Sequence, residues 1–209
     1  MTAFASSKDN PEILRTIKHA IEAEVFVAAN EQYSADEHGN GLSWIMDFRK
    51  IILCGDILSG VSDLLLEKLH TANVTNFQVG GLETAAIPLV AGVVLRSAEN
   101  GVCINGFFIR KSRKKTGLLQ VIEGVVADTD IVIVDDLINS GNSVLRQIEI
   151  LEDLEKKVTH VCVILQFKNS SEYVELTKRG IKLHALFKLD DFSVSLGLGD
   201  KKTQQIKKQ

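Results

Sequence analysis

Three runs dominate the second half of this chain: Ile131 to Asp135, Val161 to Phe167 and Ile181 to Leu189, all short and rich in Val, Ile, Leu and Phe. A strand with one face in water alternates polar and apolar residues, whereas apolar runs of this kind belong to strands covered on both faces. Such strands build parallel sheets between layers of helices. Two further strand patterns, Val74 to Val79 and Cys103 to Arg110, alternate with helical patterns at Glu83 to Ala98 and Ser143 to Leu154. The expectation is an α/β fold with a mostly parallel central sheet flanked by helices. Upstream, Asn10-Pro11-Glu12 supplies a cap, a first-turn proline and an acid, and Ile13, Ile17, Ala20, Ile21 and Val25 recur at helical spacing. Asn30 to Asn40 reads as a loop, Leu42 to Cys54 as strand-like, and Asp56 as the cap of a helix with Leu58, Val61, Leu65 and Leu69 on one face.

With 209 residues, 45% of them apolar and 24% charged, the chain suffices for one core. We therefore expect a single domain over residues 1–209: an N-terminal helix and small hood (1–50), an α/β core (51–195) and a polar tail (196–209), its last residues, Lys201 to Gln209, frayed. Twenty-seven acidic against 24 basic residues leave a net charge of −3, so no global field draws the chain to nucleic acid or an anionic membrane. The longest apolar run, Ala85 to Leu95, is too short to cross a bilayer, and the N-terminus lacks the basic and apolar regions of a signal peptide. Cys54, Cys103 and Cys162 lie far apart, each in or beside an apolar run, and are expected to be buried thiols of a reducing compartment. A cytoplasmic protein is the expectation. No histidine pairs with cysteine or another histidine at zinc-ligand spacing, and no arrangement suits a covalent nucleophile.

The stretch from Val132 to Ser143 joins an apolar strand to a helix through Asp135, Asp136 and a small polar loop, Asn139-Ser140-Gly141-Asn142. Main-chain N–H groups of such a loop and of the following helix surround anions well, with the Ser140 and Ser143 hydroxyls and the Asn139 amide as further donors. The two acids repel a phosphate and suit instead hydroxyls or a metal carried by the same ligand. Phosphate beside a diol suggests a ribose 5-phosphate. The same acids also fit a plain strand end with a capped turn, or an acidic phospho-acceptor pocket.

This stretch resembles the phosphoribosyl pyrophosphate (PRPP) signature of the type I phosphoribosyltransferases: an apolar strand, two acids, two apolar residues and a Thr/Ser/Gly-rich loop. The resemblance implies that Asp135 and Asp136 hold the ribose hydroxyls and that Asn139, Ser140, Gly141, Asn142 and Ser143 hold the 5-phosphate. Asn139 stands where the family has threonine and Asn142 where it has glycine, so Asn142 is expected to tolerate a tight backbone turn. Two further segments are similar to orotate phosphoribosyltransferases. Gly80-Gly81-Leu82-Glu83-Thr84 resembles that family's pyrophosphate loop, its glycines expected to let amides approach an anion. It also fits an ordinary strand-to-helix turn. Arg110-Lys111-Ser112-Arg113-Lys114-Lys115 places five cations in six residues, a run that is otherwise a solvated face. After an apolar strand it is similar to the family's mobile catalytic loop, with Arg110, Lys111 and Lys114 on its Arg-Lys-x-x-Lys pattern.

Weaker similarity lies in Gly41 to Arg49, where the family opens its base pocket and carries an Asp-x-Arg, and in Leu183 to Phe192, its last strand. The resemblance as a whole implies displacement of pyrophosphate from PRPP by orotate in pyrimidine nucleotide synthesis, in a homodimer, with Mg²⁺ as the one cofactor. Lys114 would make the electrostatic or proton-donating contact to the departing oxygen, Arg110 and Lys111 would clamp phosphates, and Trp44, Ile45 and Lys168 would meet the base. Departures leave other readings open. Thr116 stands where the family has a loop histidine; Glu37, His38 and Asn40 occupy the region of its lysine; and Lys168 replaces an arginine. An orotate-family enzyme using another base and a PRPP-binding regulatory module with little catalysis remain alternatives.

Overall fold

The computed structural model describes residues 11–28, 44–111 and 121–192. The expectations for Asn10, the loop to Asn40, Gly41 to Ser43, Lys114, Thr116 and the polar tail lie outside the described residues, as do the side chains of Trp44 and Ile45.

Helix α1 (Pro11–Ala20) runs into a wider π-helical turn (Ile21–Val25), so the expected helical spacing persists to Val25, and Ile17, Ile21 and Val25 are fully buried. Strands β1 (Phe26–Ala28) and β2 (Trp44–Met46) form a separate antiparallel pair. The strand-like reading of Leu42 to Cys54 holds only for this short piece, because Arg49–Ile52 coils into helix α2 with Phe48, Ile51 and Ile52 buried. Helix α3 (Gly55–Thr71) buries Val61, Leu65 and Leu69 along one face, as the spacing predicts. Asp56 is not its cap: Cys54 stands there, and Asp56 in the first turn faces the positive end of the helix dipole.

The main sheet has six strands in the order β5-β4-β3-β6-β7-β8: β3 (Phe77–Leu82), β4 (Gly106–Ile109), β5 (Ile122–Gly124), β6 (Asp130–Ile138), β7 (Val158–Gln166) and β8 (Lys182–Lys188). All neighbours are parallel except β4 and β5. Helices α4 (Ala86–Glu99), α5 (Asn142–Glu152) and α6 (Val174–Lys178) complete the layers. Val132, Val134, Cys162 and Ile164 point into the core shared with α1, α3 and α4, while Ile131, Ile133, Val161 and Val163 point into the one beneath α5 and α6. The non-alternating runs are thus strands buried on both sides.

Three boundaries shift for identifiable reasons. Val74 closes α3, its N–H donating to the Leu69 carbonyl at 2.9 Å after Asn73 turns to φ 60°, so β3 begins at Phe77 and continues through Gly80 and Gly81. Glu83 to Ala85 form a turn, and α4 begins at Ala86. The antiparallel edge β5 is three residues long and carries too little pattern to be read. Of the cysteines, Cys162 alone is buried, its thiol pushed up to about 12 by loss of solvent, whereas Cys54 and Cys103 are exposed. Both exposed thiols lie in connections, Cys54 just ahead of α3 and Cys103 ahead of β4, where an apolar neighbourhood in sequence does not imply burial. No described helix is long and apolar enough to cross a membrane.

Gly81 sits where the strands leave no room for a side chain: a Cβ there would stand 2.4 Å from the Ala86 Cβ and 2.5 Å from the Val134 carbonyl oxygen. Replacing it with alanine should lower stability by about 2 kcal/mol, the usual order for overpacking. Gly55, with nothing within 4 Å of its would-be Cβ, should accept alanine at no loss. Equal urea midpoints for the two variants would refute this account of the β3–β6 packing.

Candidate active site

From β3 the sheet extends one way to β4 and the other way to β6. Where strand order reverses, the loops at the carboxyl ends diverge and leave a crevice, the usual ligand position in open α/β sheets. A hollow of about 380 Å³ lies there. Leu82, Glu83 and Thr84 line it from the end of β3, Lys111 from beyond β4, and Asp135, Asp136 and Ser143 from β6 and α5. Met46, Asp47 and Arg49 face it from the segment after β2. A larger hollow, about 620 Å³, opens at the opposite, amino ends of the strands, with Lys156 and Asp128 among its walls. Those two residues pair with each other at 3.5 Å, and the amino edge of a parallel sheet lacks the diverging loops of the switch point.

The acids lie near the carboxyl end of β6, directly after four fully buried residues, Ile131 to Val134, and that position takes Asp135 out of water. Asp135 is only 9% exposed. Its Oδ1 accepts the Asp136 N–H at 3.0 Å, and the Asp136 Oδ1 accepts the Leu137 N–H at 2.8 Å, so both carboxyls are pinned to the main chain. Burial, and secondly the neighbouring Asp136 charge, push the Asp135 carboxyl up to about 8, with Lys111 pulling weakly the other way. Burial also raises Asp136, against the bond from the Leu137 N–H and the charge of Arg49. Two such groups side by side retain a proton into the neutral range and gain from any hydroxyl donor or cation that reaches them.

Beyond the acids, Ile138 is buried and the next two residues come to the surface. Gly141 is the hinge of this loop: its φ of +86° is the left-handed region, and its carbonyl accepts the Leu145 N–H at 2.9 Å to start α5. This corrects the expectation for Asn142, which is the first helical residue and bears no backbone strain; its N–H approaches the Ser140 Oγ at 3.3 Å. The side chains of Asn139, Ser140, Asn142 and Ser143 are exposed around the helix start, whose first-turn N–H groups lack intrahelical acceptors. Such a helix start suits an anion. Tyr173 braces it from behind, its hydroxyl donating to the Ile138 carbonyl at 2.9 Å and accepting the Lys168 N–H at 3.2 Å.

The glycines have a different reason from the one expected. Both lie within β3, and a Cβ on Gly80 would come within 2.2 Å of the Phe107 ring. They are small because the strands and helix pack over them. Arg110 points away from the hollow and pairs with Glu123 of β5 at 3.2 Å. Lys168 follows β7 and is not among the residues lining the hollow. Trp44 and Ile45 belong to β2, with Met46 reaching the hollow. Two arginines join this region: Arg49 of the Asp-x-Arg, and Arg146, which lies outside the motifs read from the sequence. Arg49 is held by Asp47 at 2.7 Å and lines the hollow; Arg146 of α5 reaches the Lys111 carbonyl at 3.4 Å. Arg146 lies three residues after Ser143 on the same helix face, a spacing that marks it once the helix start is known.

The sequence profile of the phosphoribosyl transferase domain family matches residues 52–198. Orotate phosphoribosyltransferase of Rhodopirellula baltica is 29% identical over 161 residues, spanning 75% of this chain and 83% of that protein. The enzyme of the same name from Pyrococcus furiosus is 26% identical over 161 residues, 77% of this chain and 85% of that protein. Among solved structures, an orotate phosphoribosyltransferase of Mycobacterium tuberculosis H37Rv in complex with Fe(III) dicitrate superposes with a TM-score of 0.71 over 87% of this chain and 99% of that one, at 22% identity. The acid pair, the helix start after it and the switch point all fall inside the matched span, and the chain belongs to the type I phosphoribosyltransferases.

Proposed function

We propose that this phosphoribosyltransferase is an orotate phosphoribosyltransferase, transferring the phosphoribosyl group of PRPP to orotate with release of pyrophosphate. The observation that carries the reading is the Asp135–Asp136 pair, the first buried and the second half-buried, set directly before an exposed loop and helix start. A ligand with adjacent hydroxyls and a phosphate one sugar-length away satisfies both at once. The names of the relatives at 26% and 29% identity support orotate as the base, and a solved structure of the Mycobacterium tuberculosis enzyme in complex with PRPP shares this fold at a TM-score of 0.65.

In this reading Asp135 and Asp136 accept hydrogen bonds from the ribose hydroxyls and orient C1 toward the base. The helix start at Asn142 and Ser143, with Asn139, Ser140 and Gly141, holds the 5-phosphate. Leu82, Glu83 and Thr84 border the pyrophosphate, and Lys111 supplies positive charge beside it, with Lys114 and Arg110 as the further cations that the family pattern assigns to this step. The acid pair also fits a divalent cation arriving with PRPP, because two buried carboxyls gain from positive charge, while no group of three or more His, Cys, Asp or Glu side chains among the described residues forms a metal cage. Bound in this way, Mg²⁺ would neutralise charge on the pyrophosphate. One observation favours a different base: Lys168, a point charge, stands where the family has an arginine.

Pyrophosphate release from Mg-PRPP across a panel of bases tests the reading directly. Orotate should be the preferred acceptor; activity with another base alone would select the second reading, and tight PRPP binding without turnover would make the protein a regulatory module. Asp135→Asn and Asp136→Asn should each weaken PRPP binding by about 10- to 100-fold, the loss expected for hydrogen bonds to a charged group, and unchanged affinity by titration calorimetry would contradict the ribose assignment.

The acid pair also ties stability to pH. Because the folded Asp135 carboxyl keeps its proton above the value at which the unfolded chain releases it, the folded state binds more protons between the ordinary carboxyl range and about pH 8. Stability therefore falls as pH rises through that window. Asp135→Asn should raise the thermal midpoint by about 5 °C at pH 8 and hardly at all at pH 4. Equal gains at the two pH values would rule out a buried carboxyl as the cause.

A further inference from the structure

We infer that Glu83 is a positioning residue: its carboxylate holds the backbone of Lys111 at the point where the basic segment leaves β4, beside the acid pair. The inference rests on the reaction proposed above and concerns how one of its cations is placed.

The β4 ladder ends at Ile109, and Lys111 lies beyond it with an exposed side chain. Its main chain is nevertheless held from two sides. The Glu83 Oε1 accepts the Lys111 N–H at 2.8 Å, while the Glu83 N–H donates to the Ile109 carbonyl, also at 2.8 Å. One residue in the turn after β3 thus grips both Ile109 and Lys111. From the other wall of the hollow, the Arg146 guanidinium of α5 reaches the Lys111 carbonyl at 3.4 Å. Between the two contacts, the Arg110 N–H donates to the Val121 carbonyl at 2.8 Å and closes the base of the segment. The turn bordering the pyrophosphate and the helix bordering the 5-phosphate therefore meet on a single residue.

Charge explains why a carboxylate belongs here as an acceptor and not as a ligand group. Asp135 and Asp136 already place two acids in the hollow, and a third facing pyrophosphate would repel it. Engaged with the Lys111 N–H, the same charge instead strengthens a hydrogen bond. The placement has an electrostatic consequence, since the Lys111 charge is felt at Asp135. A lysine root held in this register presents its ammonium to the site where negative charge grows as pyrophosphate departs.

The test compares Glu83→Ala, Glu83→Gln, Lys111→Ala and the Glu83→Ala/Lys111→Ala double variant in the full chain. Turnover and KM for Mg-PRPP are measured with the preferred base, and amide exchange at Lys111 is followed by NMR without ligand. Glu83→Ala should lower kcat by about 10-fold or more with a much smaller change in KM, and speed exchange at the Lys111 N–H. Glu83→Gln keeps an acceptor oxygen and should recover most of both. The double variant should be no slower than Lys111→Ala, because residues acting through one another are not additive. Multiplicative losses, a glutamine variant as slow as alanine, or a KM rise equal to the fall in kcat would overturn the inference and make Glu83 a direct ligand group or a general support of the fold. Unchanged Lys111 exchange in Glu83→Ala would overturn it whatever the activity. Wild-type protein that releases no pyrophosphate with any base would instead defeat the proposed reaction and the catalytic part of this inference together, with the exchange rates still deciding the tether.

Discussion

A buried carboxyl beside a second acid is unfavourable for any fold, and the arrangement around Asp135 and Asp136 is organised to keep them there. Desolvation favours the neutral form of each, and the Asp136 charge raises Asp135 further. The structure compensates only partly, with main-chain N–H donors from Asp136 and Leu137 and with the charges of Lys111 and Arg49 at the rim. A site held at such a cost is ready for a partner that brings hydroxyls or positive charge, and this gives the hollow its chemical character.

The sheet makes that placement possible. Because β6 is covered on both faces and pairs with β3 only as far as Ile133, the acids that follow have nowhere polar to turn except the crevice where strand order reverses. The β3 strand must then lie close enough to β6 to wall the crevice. Gly81 permits this by leaving space for the Val134 carbonyl and the Ala86 methyl. Small residues near an anion site are readily attributed to the anion, but here intramolecular packing already requires them.

Where the basic segment leaves β4, two adjacent cations have different surroundings. Arg110 and Lys111 are adjacent in sequence, yet one pairs with Glu123 on the edge strand while the other stands beside the acid pair. A bend at Lys111, just past the end of β4, separates the two side chains, so neighbouring cations in sequence have different partners in space.

Much of this was legible in the residues themselves. Non-alternating apolar runs imply two-sided burial, hence a parallel sheet with helices on both faces, and the acid pair followed by a small polar loop marks a strand-to-helix junction suited to a sugar phosphate. These features depend on local chemistry and periodicity, which a linear sequence carries in full. Other features depend on what lies across the fold. The exposure of Cys54 and Cys103, the engagement of Arg110 by Glu123, the absence of Lys168 from the hollow and the meeting of Glu83 and Arg146 on Lys111 join or separate residues that are distant in the chain. The sequence by itself determined the elements and the chemistry at the end of β6; tertiary structure alone decided which side chains share the crevice, because strand order and helix packing bring residues together that no spacing along the chain connects.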